Sequence, residues 1–163
     1  MTDDLLARPA VQRVVQALAD GGSRSRVIVL DDTARTAEDA AGSLNCELGA
    51  IVKSLVFRVG DQAVMALVAG DKRCNTNVLP DALGLQGKAK RADADMVQAA
   101  TGFTIGGVAP LGFPASLPMV IDTSLGRFKT IYAAAGHPHC VFGTTLDELL
   151  RLTGAGAQSR VAK

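Results

Sequence analysis

A few residues in this chain have the types and spacing for chemistry. Lys53 sits in the run Ile51-Val52-Lys53-Ser54-Leu55-Val56-Phe57. An extended backbone puts Ile51, Lys53, Leu55 and Phe57 on one face and Val52, Ser54 and Val56 on the other. An ammonium buried without a partner is costly, so Lys53 must escape to solvent, meet an acid or line a pocket that receives an anion. A lysine on an edge strand, there to block aggregation, is the bland alternative. Next comes Gly106-x-x-x-Pro110, flanked by Thr104-Ile105 and Leu111-Gly112. Its glycines expose backbone N–H groups and Pro110 fixes the turn, so the loop could grip or polarise a carbonyl; it could equally be only a turn. No Gly-Lys-Ser/Thr follows, and the spacing is not that of a dinucleotide-binding fingerprint.

Gly136-His137-Pro138-His139-Cys140 holds both histidines of the chain, and the two could touch one ligand. A metal would need a third ligand, yet Cys140 falls on the opposite strand face and no Glu-rich partner is evident, so no metal is expected. Asp122 ends an apolar strand and either pairs with a base or caps the turn into Thr123-Ser124-Leu125. No GxSxG elbow, papain-like cysteine context or glycosidase-like acidic pair is present.

The elements that position these residues are legible from periodicity. Residues 9–19 place Val11, Val14, Val15 and Leu18 at helical spacing, with Pro9 in the first turn and Gly21-Gly22 as the stop. Residues 26–30 are a β-branched run that reads as a strand, punctuated by Asp31, Asp32 and Thr33. A second helix starts at Thr36, with Asp39 in the acidic place of a capping box. Residues 50–59 and 63–69 read as two strands joined by Gly60-Asp61-Gln62, a hairpin signature. Short helices are expected over 75–83 and 93–100, loop chemistry over 106–114, and strands over 117–121, 130–135 and 139–142. A closing helix over 145–152 has Thr145 as cap and Glu148 three residues on. Strands and helices alternate irregularly, which predicts a mixed-sheet α/β domain.

At 163 residues the chain fits one domain over 1–163, burying about two thirds of its unfolded surface, with 155–163 expected as a frayed tail. Hydrophobic residues make up 48% and charged residues 20%, and the mean hydropathy is +0.22; these values exclude a disordered chain. No run approaches the roughly 20 apolar residues of a spanning helix, and the first residues are acidic where a signal peptide is basic. A cytoplasmic protein with no membrane partner is the expectation. Cys46, Cys74 and Cys140 lack CxxC spacing and are expected as reduced structural thiols. A net charge of +1 argues against bulk coating of nucleic acid, and no DNA partner is expected. The charge is uneven, however: Lys72, Arg73, Lys88, Lys90 and Arg91 face only Asp81 between positions 72 and 91. This is either a phosphate-facing patch or a solvated face.

Taken in order, Thr36-Ala37-Glu38-Asp39-Ala40-Ala41, Ile51 to Phe57, Thr101-Gly102-Phe103, Gly106 to Gly112, Val120-Ile121-Asp122 and Ile131 to Gly136 resemble the YbaK/ProX family of free-standing aminoacyl-tRNA deacylases, similar to the editing insertion of bacterial prolyl-tRNA synthetases. The resemblance implies a mixed β-sheet curled into a partial barrel with surrounding helices. It implies hydrolysis of mischarged aminoacyl-tRNA(Pro) at the acceptor end, beside prolyl-tRNA synthetase and without a cofactor. The implied amino acids released are small: alanine or 2-aminobutyrate first, then serine, threonine or cysteine. By the same likeness Lys53 matches the family's essential lysine, and Gly106 and Gly107 belong to its GxxxP loop beside the ester. Ser54, Val108, Ala109, Pro110, Asp122, Gly136, His137 and Pro138 are implied to line the substrate site, and Lys88, Lys90 and Arg91 to meet the tRNA. Two other readings stand beside this one: a non-catalytic tRNA- or synthetase-binding module of the same fold, and a metal-dependent hydrolase built on His137 and His139.

Overall fold

The nine-residue run Ile51–Val59 forms β2, and everything around the site is built on it. Val52 and Val56 enter one apolar cluster while Phe57 and Val59 enter a second, so both faces of the strand are covered, as its nearly continuous apolar sequence requires. The computed structural model describes residues 2–30 and 36–163. In chain order they form α1 (Thr2–Leu6), α2 (Pro9–Asp20), β1 (Val27–Val29), α3 (Ala37–Leu44), β2, β3 (Gln62–Ala69), α4 (Leu79–Ala82), β4 (Ala89–Arg91), α5 (Ala94–Thr101), β5 (Met119–Asp122), β6 (Ile131–His137), β7 (Cys140–Thr144), α6 (Leu146–Thr153) and β8 (Gly156–Gln158), with short 3-10 turns between. Asp31, Asp32 and Thr33, read as punctuation after the first strand, lie outside the described residues.

The strands make one mixed sheet in the order β1-β7-β6-β2-β3-β5-β8, with β4 added on β2. The sheet curls into a half-barrel with the helices around it. β2 and β3 form an antiparallel hairpin in which Val59 faces Gln62. Gly60 has φ +61°, the positive value needed at the first central position of a type II′ turn. β2 also pairs with β6 in parallel through Ile51 and Val52 only, and with β4 through Phe57, Arg58 and Val59 only. β2 is therefore an interior strand, which removes the edge-strand explanation of Lys53.

The helix signals hold at atomic detail. Thr36 accepts the Asp39 N–H at 3.1 Å and Thr145 accepts the Glu148 N–H at 3.1 Å, and α2 seats Val11, Val14 and Leu18 in the larger cluster. Three readings are corrected. The helix expected over 75–83 shrinks to α4, because Asn75 N–H donates to the Val161 carbonyl at 2.7 Å and Cys74 bridges Ala162, which holds the preceding residues extended. Ala89–Arg91, read only as a charge cluster, is strand β4; its Ala-Lys-Arg sequence carries no alternation to announce it. Residues 155–163 are no frayed tail. β8 runs parallel to β5 from Val120↔Gly156 to Asp122↔Gln158, and Val161 is fully buried in the second cluster. The cysteines form no disulfide.

Candidate active site

Because β6 leaves β2 after Val52 and β4 reaches it only from the Val56 carbonyl onward, one edge of β2 is open from Lys53 to Leu55. A cavity of about 330 Å³ occupies this notch. Tyr132 and Ala134 of β6, Arg91 and Ala92 at the end of β4, Thr36, Ala37 and Ala40 of α3, and the loop residues Ile105, Gly106 and Val108 close around it, with Pro138 and Val141. Its walls are mainly aliphatic. Among the described residues, none lining it is acidic.

Lys53 is only half-buried, and its ammonium donates to the Lys72 carbonyl on the loop after β3. Burial and then the charge of Arg73 push its pKa below the ordinary lysine value, against the opposing pull of Asp71 and Glu38. Asp71 is engaged elsewhere, held by Arg127 through two hydrogen bonds of 2.9 and 2.8 Å that also keep its carboxyl below the usual range. Among the described residues Lys53 makes no ion pair. A cation fixed by a neutral carbonyl at the rim of a cavity keeps its charge available to an anion from outside.

The glycine loop is a tight turn. Gly107 N–H donates to the Thr104 carbonyl at 3.0 Å, and Gly106 between them has φ +97°, the conformation demanded at the third position of a type II turn. The Gly107 amide is thus consumed inside the turn. Among the described residues the Gly106 and Val108 N–H groups donate to nothing, and both residues line the cavity. Gly107 is a spacer: a Cβ there would lie 2.9 Å from the His137 N and Cα atoms. Gly136 is another, with φ +91° and a Cβ position 2.6 Å from the Ala10 carbonyl at the start of α2. These two glycines let α2, β6 and the loop meet backbone to backbone, which fixes Gly106 over the notch.

The residues expected at the site divide accordingly. Lys53, Ser54, Gly106, Val108, Pro138 and Arg91 line the cavity. Ala109 and Pro110 are buried behind it. Asp122 lies outside the lining. Its carboxylate accepts the Ser124 N–H at 2.8 Å, the Ser124 hydroxyl at 2.7 Å and the Ala69 N–H at 3.1 Å, so it caps the 3-10 turn Thr123–Arg127 and ties that turn to β3. His137 also lies outside the lining. Its Nδ1 accepts the His139 N–H at 3.1 Å and the rings stand 5.2 Å apart, edge to face; burial, Arg8 and His139 lower its pKa. Among the described residues no three His, Cys, Asp or Glu side chains converge in a way that could hold a metal. Lys88 and Lys90 are outside the cavity as well, on or beside β4, with Lys90 directly across from Arg58. The sequence reading misses Thr36, Ala37, Ala40, Tyr132 and Val141 as wall residues. The N-cap at Thr36 is a visible signal that a helix begins there, but only the fold points that end at β2.

Comparison with known proteins now gives the class. A family model for the aminoacyl-tRNA editing domain matches residues 31–152. Uncharacterized protein YwhH of Bacillus subtilis (strain 168) is 33% identical over 124 residues, 76% of this chain and 78% of that one. The proline–tRNA ligase of Thermoanaerobacter sp. (strain X514) is 28% identical over 102 residues, which are 62% of this chain but only 18% of the ligase; the chain spans under a fifth of that relative. A solved structure described as a "putative trans-editing enzyme for prolyl tRNA synthetase" superposes with a TM-score of 0.87 at 38% identity, covering 93% of this chain and 96% of that one. The crystal structure of hypothetical protein APE2540 gives 0.82 at 27% identity, covering 93% and 99%. The chain belongs to the aminoacyl-tRNA editing domain family, of the YbaK-like kind, and its activity is that of an aminoacyl-tRNA deacylase. No described helix is long and apolar enough to cross a membrane.

Proposed function

We propose that this deacylase clears tRNA(Pro) mischarged with a small amino acid, alanine or 2-aminobutyrate before serine, threonine or cysteine, acting in trans beside prolyl-tRNA synthetase. The observation that carries the reading is the notch itself: a mainly aliphatic cavity with, among the described residues, a cation in no ion pair on one lip and unengaged amides on the other. A synthetase pocket built for proline cannot strongly exclude smaller side chains, since such differences are worth only about 1–3 kcal/mol, so a second site has to remove the errors. The likeness to proline–tRNA ligases and to the 38%-identical structure supports tRNA(Pro) as the carrier.

In this reading Lys53 takes the terminal phosphate or ribose of the acceptor end, and the Gly106 and Val108 amides hold the ester carbonyl as negative charge develops on its oxygen. The ester is already activated. A water held against the carbonyl, with the adjacent ribose hydroxyl to orient it and relay its proton to the departing ribose oxygen, then suffices as nucleophile without a protein side chain: the acyl carbon gains the water oxygen, loses the ribose oxygen, and the tRNA leaves as the alcohol. The apolar part of the wall receives the small side chain, and its mainly aliphatic character favours alanine and 2-aminobutyrate over hydroxylated residues, which gain less from an apolar surface.

The test is deacylation of tRNA(Pro) charged in turn with alanine, 2-aminobutyrate, serine, cysteine and proline, by wild type and Lys53→Ala in parallel. Selective clearance of one or two small residues, with proline spared and the activity gone in a variant that still folds, is the expected result. Clearance that survives Lys53→Ala would remove the lysine from the mechanism. A wild type inert on the whole panel would turn the chain into a tRNA- or synthetase-binding module.

A further inference from the structure

Ser54 Oγ is buried and, among the described residues, is the side-chain polar atom left without a hydrogen-bond partner. A buried hydroxyl in that state is unfavourable, and where it persists it needs a reason. Ser54 lies in the middle of the open edge of β2 and lines the cavity. The backbone there is open too. The Ile51 carbonyl accepts the Gly70 N–H at 2.7 Å on the β3 side, whereas the Val56 carbonyl receives the Ala92 N–H at 3.4 Å on the β4 side. Alternation along a strand then turns the N–H and C=O of Ser54 to the same side as those of Val56, toward the cavity. Neither β6 nor β4 supplies Ser54 with a ladder partner.

We propose that the aminoacyl group docks on this edge as a strand residue would, with Ser54 as the anchor of its α-amino group. The α-amino group donates to the Ser54 carbonyl and Oγ, and the Ser54 N–H donates to the ester carbonyl, whose oxygen takes the Gly106 and Val108 amides as further donors when it becomes an oxyanion with three lone pairs. An α-aminoacyl ester carries one donor group and one carbonyl in the spacing of a peptide residue, so the match is made by its backbone and is indifferent to the side chain. Lys53 does not compete, because its side chain leaves the opposite face of β2 toward the Lys72 carbonyl. With no carboxylate among the described lining residues, neutral acceptors are what the cavity offers to an amino group. The site would therefore distinguish aminoacyl esters from acyl esters that lack the amino group, and would exclude N-blocked chains such as peptidyl-tRNA. This inference rests on the deacylase reading above, and deepens it.

The test uses the aminoacyl-tRNA cleaved fastest in the panel and the same tRNA carrying the acyl group without its amino substituent, loaded by a charging ribozyme. Single-turnover rates are compared for wild type, Ser54→Ala and Ser54→Cys. The expected result is a loss of about tenfold on the aminoacyl ester in Ser54→Ala, the worth of one hydrogen bond, with the deamino ester slowed less than about twofold for want of any such bond. Ser54→Cys, close in shape but a weak acceptor, should fall between. The melting temperature of Ser54→Ala should stay level or rise, since an unsatisfied buried hydroxyl has been removed. Equal losses on both esters would place the Ser54 hydroxyl at the ester oxygen or ribose and not at the amino group, and would overturn the proposal. So would no loss on the aminoacyl ester. Failure of the deacylase reading would show earlier and separately, as an inert wild type in the panel.

Discussion

Lys53 is held by a carbonyl and depressed by burial and by Arg73, and this combination has a measurable consequence. Its ammonium is complete below its folded pKa and is lost as pH rises through that value, which lies below the 10.5 of an ordinary lysine. If the charge anchors a phosphate, the apparent KM for aminoacyl-tRNA should rise on the alkaline side earlier than a free lysine would allow, once spontaneous ester hydrolysis is subtracted. Lys53→Arg keeps a cation that does not titrate in this range, so whatever activity it retains should lose that alkaline limb. An identical limb in both proteins would assign it to another group. The sequence marks Lys53 as an anomaly on an apolar face, but its four possible fates cannot be separated there. Separating them requires knowing that β2 is interior and that Asp71 is already bound by Arg127.

At the scale of elements the site is a defect in pairing. β2 is held along its whole length by β3, but on its other side only at its two ends, and the resulting gap is the cavity. This arrangement depends on the far side of the sheet being well anchored, and there the last residues matter. β8 covers the outer edge of β5, while Val161 fills the cluster that holds Phe57, Val59 and Leu79. Removing residues 156–163 should lower the melting temperature markedly, with burial of Val161 alone worth about 1.5–3 kcal/mol; Val161→Ala, leaving the strand in place, should give a smaller drop. A truncated protein melting with the full chain would contradict the observed packing. The sequence reads here as a tail because Gly154-Ala155-Gly156-Ala157 has neither alternation nor bulk. A three-residue edge strand is recruited by its neighbour and not by its own propensity.

Across the whole molecule, the charge runs along one path. Arg91 lines the cavity, Lys90 follows it on β4 and faces Arg58 of β2 directly across the ladder, and Lys88 is exposed just before the strand. Like charges set opposite each other in a sheet are destabilising, and among the described residues none of these four makes an ion pair. A polyanion laid along the path would relieve that repulsion. Replacing Lys88, Lys90 and Arg91 together by Glu should weaken tRNA binding and flatten its dependence on salt, by a slope of about 0.9 for each phosphate that is no longer neutralised. Unchanged affinity and slope would make the strip a solvated surface. Catalysis at saturating tRNA should suffer less than affinity, apart from the share due to Arg91 at the cavity.

Sequence by itself determined the hairpin, the caps at Thr36 and Thr145, the apolar periodicity of α2, the family likeness and the suspicion attached to Lys53 and the Gly106 loop. These follow from interactions between residues close in the chain, or from patterns that a single strand or helix must satisfy alone. The tertiary structure decided which loop amides have no acceptor among the described residues, since Gly107 is spent on Thr104 while Gly106 and Val108 are not. It also decided that Asp122 caps a turn, that His137 accepts the His139 N–H, and that Ser54 Oγ has no partner among the described residues where two strands part. Each of these turns on where a distant segment supplies or withholds a partner, and hydrogen-bond satisfaction across the sheet is a property of the assembled fold and not of any local pattern.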